Sequence, residues 1–359
     1  MMRMGRTGFV ALAVGVILGL SAREAGACSR CVYLGPGGDV LVARSMDWME
    51  DTRSNLYAFP RGMKRDGAAG PNSIAWTSRY GSVAGTIYDV ASVDGMNEKG
   101  LVVNILYLSE SDYGKPDGSK PTLSISQWAQ YVLDQFATVA EAVEALRKEP
   151  FVIVAPTLPN GSPATGHLAI TDPTGDTAVF EYVDGKLAIH HDRRHQVMTN
   201  SPTFDKQLAI NAYWDEVGGE AMLPGTHRAA DRFVRASYYL KSIPGTSDKS
   251  AAVATIFSVI RSVSVPLGVE TPGKPNIAST LWRTVHDAND RVIYFDSAVS
   301  PTVFWVSLSA LDFSEGAGVK KLALSGGEIY GGDASAEFKA SEPFQPLSGS
   351  AEGDETHSS

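Results

Sequence analysis

Strand-forming runs joined by tight turns lie on both sides of a helical block. This alternation restricts the chain to folds in which sheets and helices occupy separate layers. Residues 32–34 and 39–44 flank the turn Gly35-Pro36-Gly37-Gly38 and predict a hairpin. Residues 83–93 are rich in β-formers and read as one strand; Asp94-Gly95 and Asn97-Glu98-Lys99-Gly100 then punctuate the chain. Residues 101–108 read as a buried strand. Residues 123–136 space their apolar side chains helically, and Thr138-Val139-Ala140-Glu141 is a capping box opening a second helix to about Lys148. A strand meander follows at 167–171, 177–183 and 186–191, with turns at Asp172-Pro173 and Asp184-Gly185. Residues 229–240 and 250–262 predict helices, and 281–287, 292–297 and 302–307 late strands. The expectation is one α+β domain over residues 28–340 and a loose tail, 341–359, rich in Ser, Gly and Glu.

The domain is expected to begin only at residue 28. Arg3 and Arg6 precede an uncharged, mostly apolar stretch from Thr7 to Ala22, and Ala25-Gly26-Ala27 completes a small-residue cleavage pattern. That stretch is shorter than the ~20 residues of a membrane-spanning helix. Residues 1–27 therefore read as a secretory signal. Its removal leaves an exported protein with no stable membrane insertion. Three basic residues and one acid leave with it, taking the formal charge from −9 to −11. An acidic chain lacks the basic footprint that nucleic acid requires. With 43% hydrophobic and 20% charged residues, the chain has material for a core, which excludes wholesale disorder. Cys28 and Cys31 are the only cysteines, so a disulfide-stapled scaffold and a four-cysteine zinc site are excluded. His190, His191 and His195, with Asp192, sit among arginines without the helical spacing of a metal motif and read as a solvated polar face. No metal or organic cofactor is expected.

Cleavage after Ala27 makes Cys28 the first residue, and a cysteine there carries two useful groups. Its thiol is a good nucleophile, and its free α-amine, with a reference pKa of ~7.7–8.0, is a base near neutrality. Arg44 and Asp47 follow after one hairpin. Beside Cys28, Arg44 favours the thiolate and Asp47 orients the amine. The same two residues also read as a plain strand-end charge pair. Two rival readings compete. A lipoprotein also places a cysteine directly after its leader, but Arg23-Glu24 interrupts the apolar segment such leaders carry. A thiol–disulfide motif Cys28-x-x-Cys31 belongs at a helix N-terminus, whereas Cys31 here runs into a strand and a glycine-rich turn. Cys31 reads as a small buried residue; a reversible Cys28–Cys31 disulfide stays open.

The strings Cys28-Ser29-Arg30 and Arg44-Ser45-Met46-Asp47-Trp48 resemble the opening of the choloylglycine hydrolase family. These are N-terminal-nucleophile hydrolases that include bile salt hydrolases and penicillin V acylases. Three further segments resemble the family in the same order. They are Asp94-Gly95-Met96-Asn97-Glu98-Lys99-Gly100-Leu101, then Thr199-Asn200-Ser201-Pro202-Thr203-Phe204-Asp205-Lys206-Gln207, then Leu223-Pro224-Gly225 with Asp231-Arg232-Phe233-Val234-Arg235. The resemblance implies a four-layer αββα fold, two antiparallel sheets sandwiched between helices. It implies Cys28 as nucleophile with its own α-amine as general base and then acid, Arg44 by the sulfur, and Asp47 holding the amine. It further implies Asn200 facing the oxyanion and Arg232 as a second active-site arginine. The other oxyanion position falls on Tyr107, where bile salt hydrolases tend to carry Asn and penicillin V acylases often Tyr, which favours the acylase side. Trp48, Tyr107, Trp76 and Trp282 are candidate walls of an acyl pocket; buried tryptophans mostly serve as core, and Trp48, beside Asp47, is the substrate-binding candidate among them.

The implied activity is cleavage of a small-molecule N-acyl amide, penicillin V or an N-acyl homoserine lactone. Bile salts and a non-enzymatic envelope lipoprotein are the alternatives. The exported precursor resembles the periplasmic Gram-negative branch. The segment between Asn200 and Leu223 is short beside the assembly loop of Gram-positive bile salt hydrolases, so a homo-oligomer of that type is in doubt and the oligomeric state stays open.

Overall fold

Turn chemistry and burial shape the first half of the chain. The computed structural model describes residues 27–219, 221–269 and 278–349, so residues 1–26 of the expected leader lie outside it. The predicted first hairpin forms from β1 (Ser29–Leu34) and β2 (Val40–Trp48). Every residue of β2 is buried, as in a strand covered on both faces. β3 (Leu56–Phe59) follows, then a small hairpin of β4 (Lys64–Asp66) and β5 (Ala75–Thr77). The run expected as one strand at 83–93 is two, β6 (Ser82–Ile87) and β7 (Ala91–Asn97), turning at Tyr88 and Asp89. Both turn residues have positive φ, 52° and 51°. Such a turn usually takes Asn-Gly, so no glycine signalled it; instead Asp89 accepts hydrogen bonds from Asn55, Thr86 and Lys321. β8 (Val102–Leu106) and the short β9 (Thr122–Ser124) come next.

The helical block is α1 (Ile125–Gln135) and α2 (Val139–Leu146). Thr138 Oγ1 accepts from Glu141 N–H, and the Glu141 carboxylate accepts from Ala137 N–H, so the capping signal reads as predicted. β10 (Val152–Val154) pairs parallel with β9. The meander β11 (His167–Thr171), β12 (Thr177–Val183) and β13 (Lys186–His191) leads to β14 (Val197–Met198). α3 (Phe204–Val217) had no periodic signal, because only Phe204 and Gln207 on it are buried. α4 (Ala229–Ser242) and α5 (Lys249–Ser262) precede β15 (Ser279–Asp287), β16 (Val292–Ser297) and β17 (Val303–Ser307). The short β18 (Lys320–Leu322), β19 (Gly332–Asp333) and β20 (Lys339–Ala340) complete the strands.

Two large sheets result. One runs β14-β1-β2-β15-β16-β17-β19, the other β13-β12-β11-β8-β7-β6-β3-β18-β20. All neighbours are antiparallel except β17 and β19. α4 and α5 pack on the first sheet, α1 and α2 on the second, which makes the four layers helix, sheet, sheet, helix. Side chains cross between the sheets: Arg30 of β1 donates to Asn104 of β8, and His286 of β15 lies 3.3 Å from Asp94 of β7.

The polar tail expected from residue 341 is corrected over its first nine residues. Phe344 is buried edge-on against Tyr57 and Phe59, Leu347 N–H donates to Val90 O, and Gly349 N–H to Ala68 O. One phenylalanine and one leucine among polar residues were enough to dock the segment. Residues 350–359 lie outside the described residues.

Candidate active site

Five of the predicted site residues meet between the sheets at the start of β1. Cys28 is 2% exposed. Its Sγ takes the Asp47 N–H at 3.5 Å and an Arg44 Nη2 contact at 3.9 Å. Antiparallel pairing explains the approach: Ser29 sits opposite Ser45, so the strand end of β1 lies alongside residues 44–47 of β2. Burial pushes the thiol up from its ordinary value, and the Arg44 guanidinium works against that rise. Arg44 is itself fixed by main-chain carbonyls of Val93 and Ile105, at 3.4 and 3.2 Å, and by the Trp282 ring, 4.7 Å away.

Asp47 is fully buried, and burial drives its carboxyl up to about 6 against the pull of Arg232 and of the Thr280 hydroxyl. Thr280 donates to Oδ1 at 2.6 Å; Oδ2 accepts no hydrogen bond among the described residues and stands 3.9 Å from Arg232 Nη1. Arg232 reaches in from α4. Its Nη1 donates to the Cys28 carbonyl at 2.7 Å and to Ser29 Oγ, and its Nη2 to Asn200 Oδ1 at 2.9 Å. That contact orients the Asn200 amide, because a guanidinium can only donate. Asn200 Nδ2 accordingly donates to Tyr107 O at 2.7 Å and keeps a second N–H. Asn200 is held in turn by Gln207 of α3, which donates to its carbonyl. Arg44 is the guanidinium beside the sulfur, and its charge favours a thiolate there.

Tyr107 follows β8, and its ring meets Trp48 edge-on at 5.8 Å. Trp48 Nε1 donates to Tyr88 OH at 2.8 Å, and Tyr88 OH donates to Glu50. Trp48 and Tyr107 line a cavity of about 60 Å³ that opens on Cys28, with Ile87, Val93, Ile105 and Leu347 among its other walls. The other two tryptophans are placed elsewhere. Trp76 packs against Tyr131 and donates to Asp134 in a separate core region. Trp282 lies under Arg44, donates to Ser54, and faces a larger cavity of about 580 Å³ on the far side of Trp48. Cys31 is a free, buried strand residue whose thiol is pushed up to about 12 by burial. The histidines 190, 191 and 195 face acids and rings: His191 meets Asp176 at 2.8 Å, His190 lies 3.7 Å from Glu181, and His195 packs on Phe204. Met46, within the Arg44–Trp48 motif but given no role there, and Thr280 also touch the site; nothing local in the sequence marked Thr280, which is 233 residues from Asp47.

A buried thiol beside cationic groups, an oriented carboxamide and an apolar cleft is the equipment of acyl transfer. On a double-sheet sandwich with helical outer layers, it defines a hydrolase of the N-terminal-nucleophile class. Comparison with known proteins then supplies the family. Residues 28–319 match the linear amide C–N hydrolases, choloylglycine hydrolase family, and the chain belongs to that family. It is 50% identical over 355 residues to a penicillin V acylase of Pectobacterium atrosepticum, covering 92% of this chain and 94% of that protein. The structure of penicillin V acylase from Agrobacterium tumefaciens superposes with a TM-score of 0.84 at 54% identity, covering 89% of this chain and all of that one. A conjugated bile acid hydrolase from Clostridium perfringens, 23% identical, shares the fold with a TM-score of 0.69 over 82% of this chain and 96% of that one.

Proposed function

We propose that the protein is a periplasmic acylase that hydrolyses N-acyl amides through Cys28, with penicillin V as the leading substrate and N-acyl homoserine lactones second. The observation that carries this reading is the convergence of Cys28, Arg44, Asp47, Asn200 and Arg232 at the mouth of an apolar cavity. The 50% identical penicillin V acylase favours the substrate choice. Removal of residues 1–27 frees the α-amine of Cys28, and Asp47 Oδ2, which lacks a hydrogen bond, is the acceptor available to it. The amine takes the thiol proton as the sulfur attacks the carbonyl carbon. Asn200 Nδ2 and the main-chain N–H of Tyr107 receive the negative charge that develops on the oxygen. The ammonium then protonates the departing amine, leaving a thioester on Cys28. Water attacks the thioester, the α-amine takes its proton, and the acid leaves as the thiol is restored. The acyl group occupies the cavity walled by Trp48 and Tyr107. Arg232 holds the Cys28 carbonyl and so aims the nucleophile.

The test joins intact mass to a substrate panel. The exported protein is expected to begin at Cys28, and to hydrolyse phenoxyacetyl and fatty acyl amides faster than glycine- or taurine-conjugated bile salts. Retention of Met1, a lipid-sized increment on Cys28, or full activity in Cys28→Ser overturns the reading.

A further inference from the structure

The acyl cavity is small. An apolar cavity of ~150 Å³ holds a benzene ring, and this one has about 60 Å³. An acyl group of aromatic size therefore enters only where a wall gives way or ends. Most walls cannot. Met46, Val93 and Ile105 are buried in strands at the centre of the two sheets. Leu347 differs from these: it is partly exposed and, like Tyr107, Leu158, Ala164 and Thr165, stands outside strand and helix, and it alone of the lining residues comes from the segment 341–349.

That segment is a strap held at several points, three of them around the cavity. Phe344 anchors it in the aromatic cluster of Tyr57 and Phe59. The Leu347 carbonyl accepts from Ser124 Oγ at 2.7 Å and Ser126 Oγ at 2.9 Å, at the N-terminus of α1. The Leu347 N–H donates to Val90 O in the β6–β7 turn. The same turn carries Tyr88, whose hydroxyl fixes the Trp48 indole on the opposite wall. Ser126 and Ile125 of α1 also line the cavity. The strap thus ties two walls together and contributes Leu347 to the cavity lining between them.

We propose that Leu347 is a specificity-determining residue that ends the acyl pocket and limits the size of the acyl group admitted; this rests on the acyl group occupying the Cys28 cavity. A shorter side chain at 347 extends the pocket along the strap, and a bulkier one closes it. One methylene in an apolar pocket already shifts selectivity by ~10-fold or more. The effect of 347 is therefore large and graded by acyl length.

The experiment uses the purified mature protein and two substrate series. One varies the acyl group of homoserine lactone amides from butanoyl to dodecanoyl; the other keeps phenoxyacetyl and varies the amine. Leu347→Ala is expected to raise kcat/KM for the longest acyl groups over the shortest by at least ~10-fold relative to wild type. Leu347→Phe is expected to lower the same ratio, with the amine series unchanged in rank. Leu347→Val gives a milder step in the same direction as alanine should Leu347→Ala not fold. Calorimetric affinities for the free carboxylic acids, which need no turnover, follow the same order. Equal factors at every acyl length, unchanged ratios, or a shift confined to the amine series overturn the proposal. Wild-type inactivity toward both series speaks against the substrate reading, and acid affinities that then fail to follow residue 347 overturn the strap.

Discussion

Single residues set the charge of the site, and the decisive ones act in opposed pairs. Burial alone would protonate both Cys28 and Asp47, and Arg44 and Arg232 each stand beside one of them to resist it. Glu181 does comparable work one shell out. Its carboxylate accepts the Phe204 N–H at the start of α3 and His167 Nδ1 at 2.8 Å, and so holds the segment that presents Asn200. Burial pulls Glu181 up, but hydrogen bonds from His167 and His190 and from the Phe204 N–H outweigh it and leave the group at about 2, below the ordinary 4.5. A depressed carboxylate stabilises the fold above pH ~4.5 and loses that contribution as pH falls towards ~2. Glu181→Gln is therefore expected to cost on the order of 3 kcal/mol at pH 7. Urea denaturation should show the gap from wild type narrowing between pH 4.5 and 2.5; a constant gap contradicts the assignment.

At the scale of elements, turns and caps explain both what was readable and what was not. The string Asn97-Glu98-Lys99-Gly100 is a structural device. Asn97 Oδ1 accepts from Lys99 and Leu101 N–H, and its Nδ2 donates to the carbonyls of Leu133 and Phe136 at the end of α1. Gly100 has φ +84°, and an added Cβ would stand 2.2 Å from Ala288 O in the turn after β15. Glycine is required there for both conformation and space. Gly100→Ala should cost at least ~2 kcal/mol by two mechanisms at once, read as a lower denaturation midpoint; a loss under ~0.5 kcal/mol contradicts the close approach. By contrast, the Tyr88–Asp89 turn gave no signal because side-chain bonds from distant residues, Lys321 among them, replace the usual glycine. α3 gave none because it lies on the surface with almost no buried face.

Across the whole molecule, the two sheets are joined by a buried polar chain as well as by apolar packing. Arg30 Nε donates to Asn104, whose amide donates to Asp94 at 2.6 Å, and Asp94 faces His286 of the other sheet. Arg44 also lies in the field of Asp94, so this polar chain reaches the candidate site. Breaking a buried pair by removing one partner costs ~3–5 kcal/mol. Asp94→Ala is expected to destabilise by that amount and to weaken the placement of Arg44. Thermal unfolding together with the pH at which iodoacetamide labels Cys28 checks both parts, and an unchanged labelling profile contradicts the second.

Short-range patterns in the chain carried the α+β layering, most strand and helix positions, and the candidate nucleophile with the residues gathered round it. Local periodicity, turn residues and ordered motifs are written within short windows, and so they are legible there. Which of those residues meet, and what surrounds them, is set by packing across the fold. Arg232 grips the carbonyl of a residue 204 positions away, Thr280 supplies the hydroxyl on Asp47, and Leu347 lines the pocket from a segment whose composition reads as a tail. Trp48, singled out by its place beside Asp47, walls the Cys28 cavity with Tyr107, while packing alone put Trp76 in a separate core region and Trp282 under Arg44 beside a second cavity. The reason is physical: a contact across the fold depends on how sheets stack and where the strap docks, and those are properties of the packed whole, with no periodic trace in the chain.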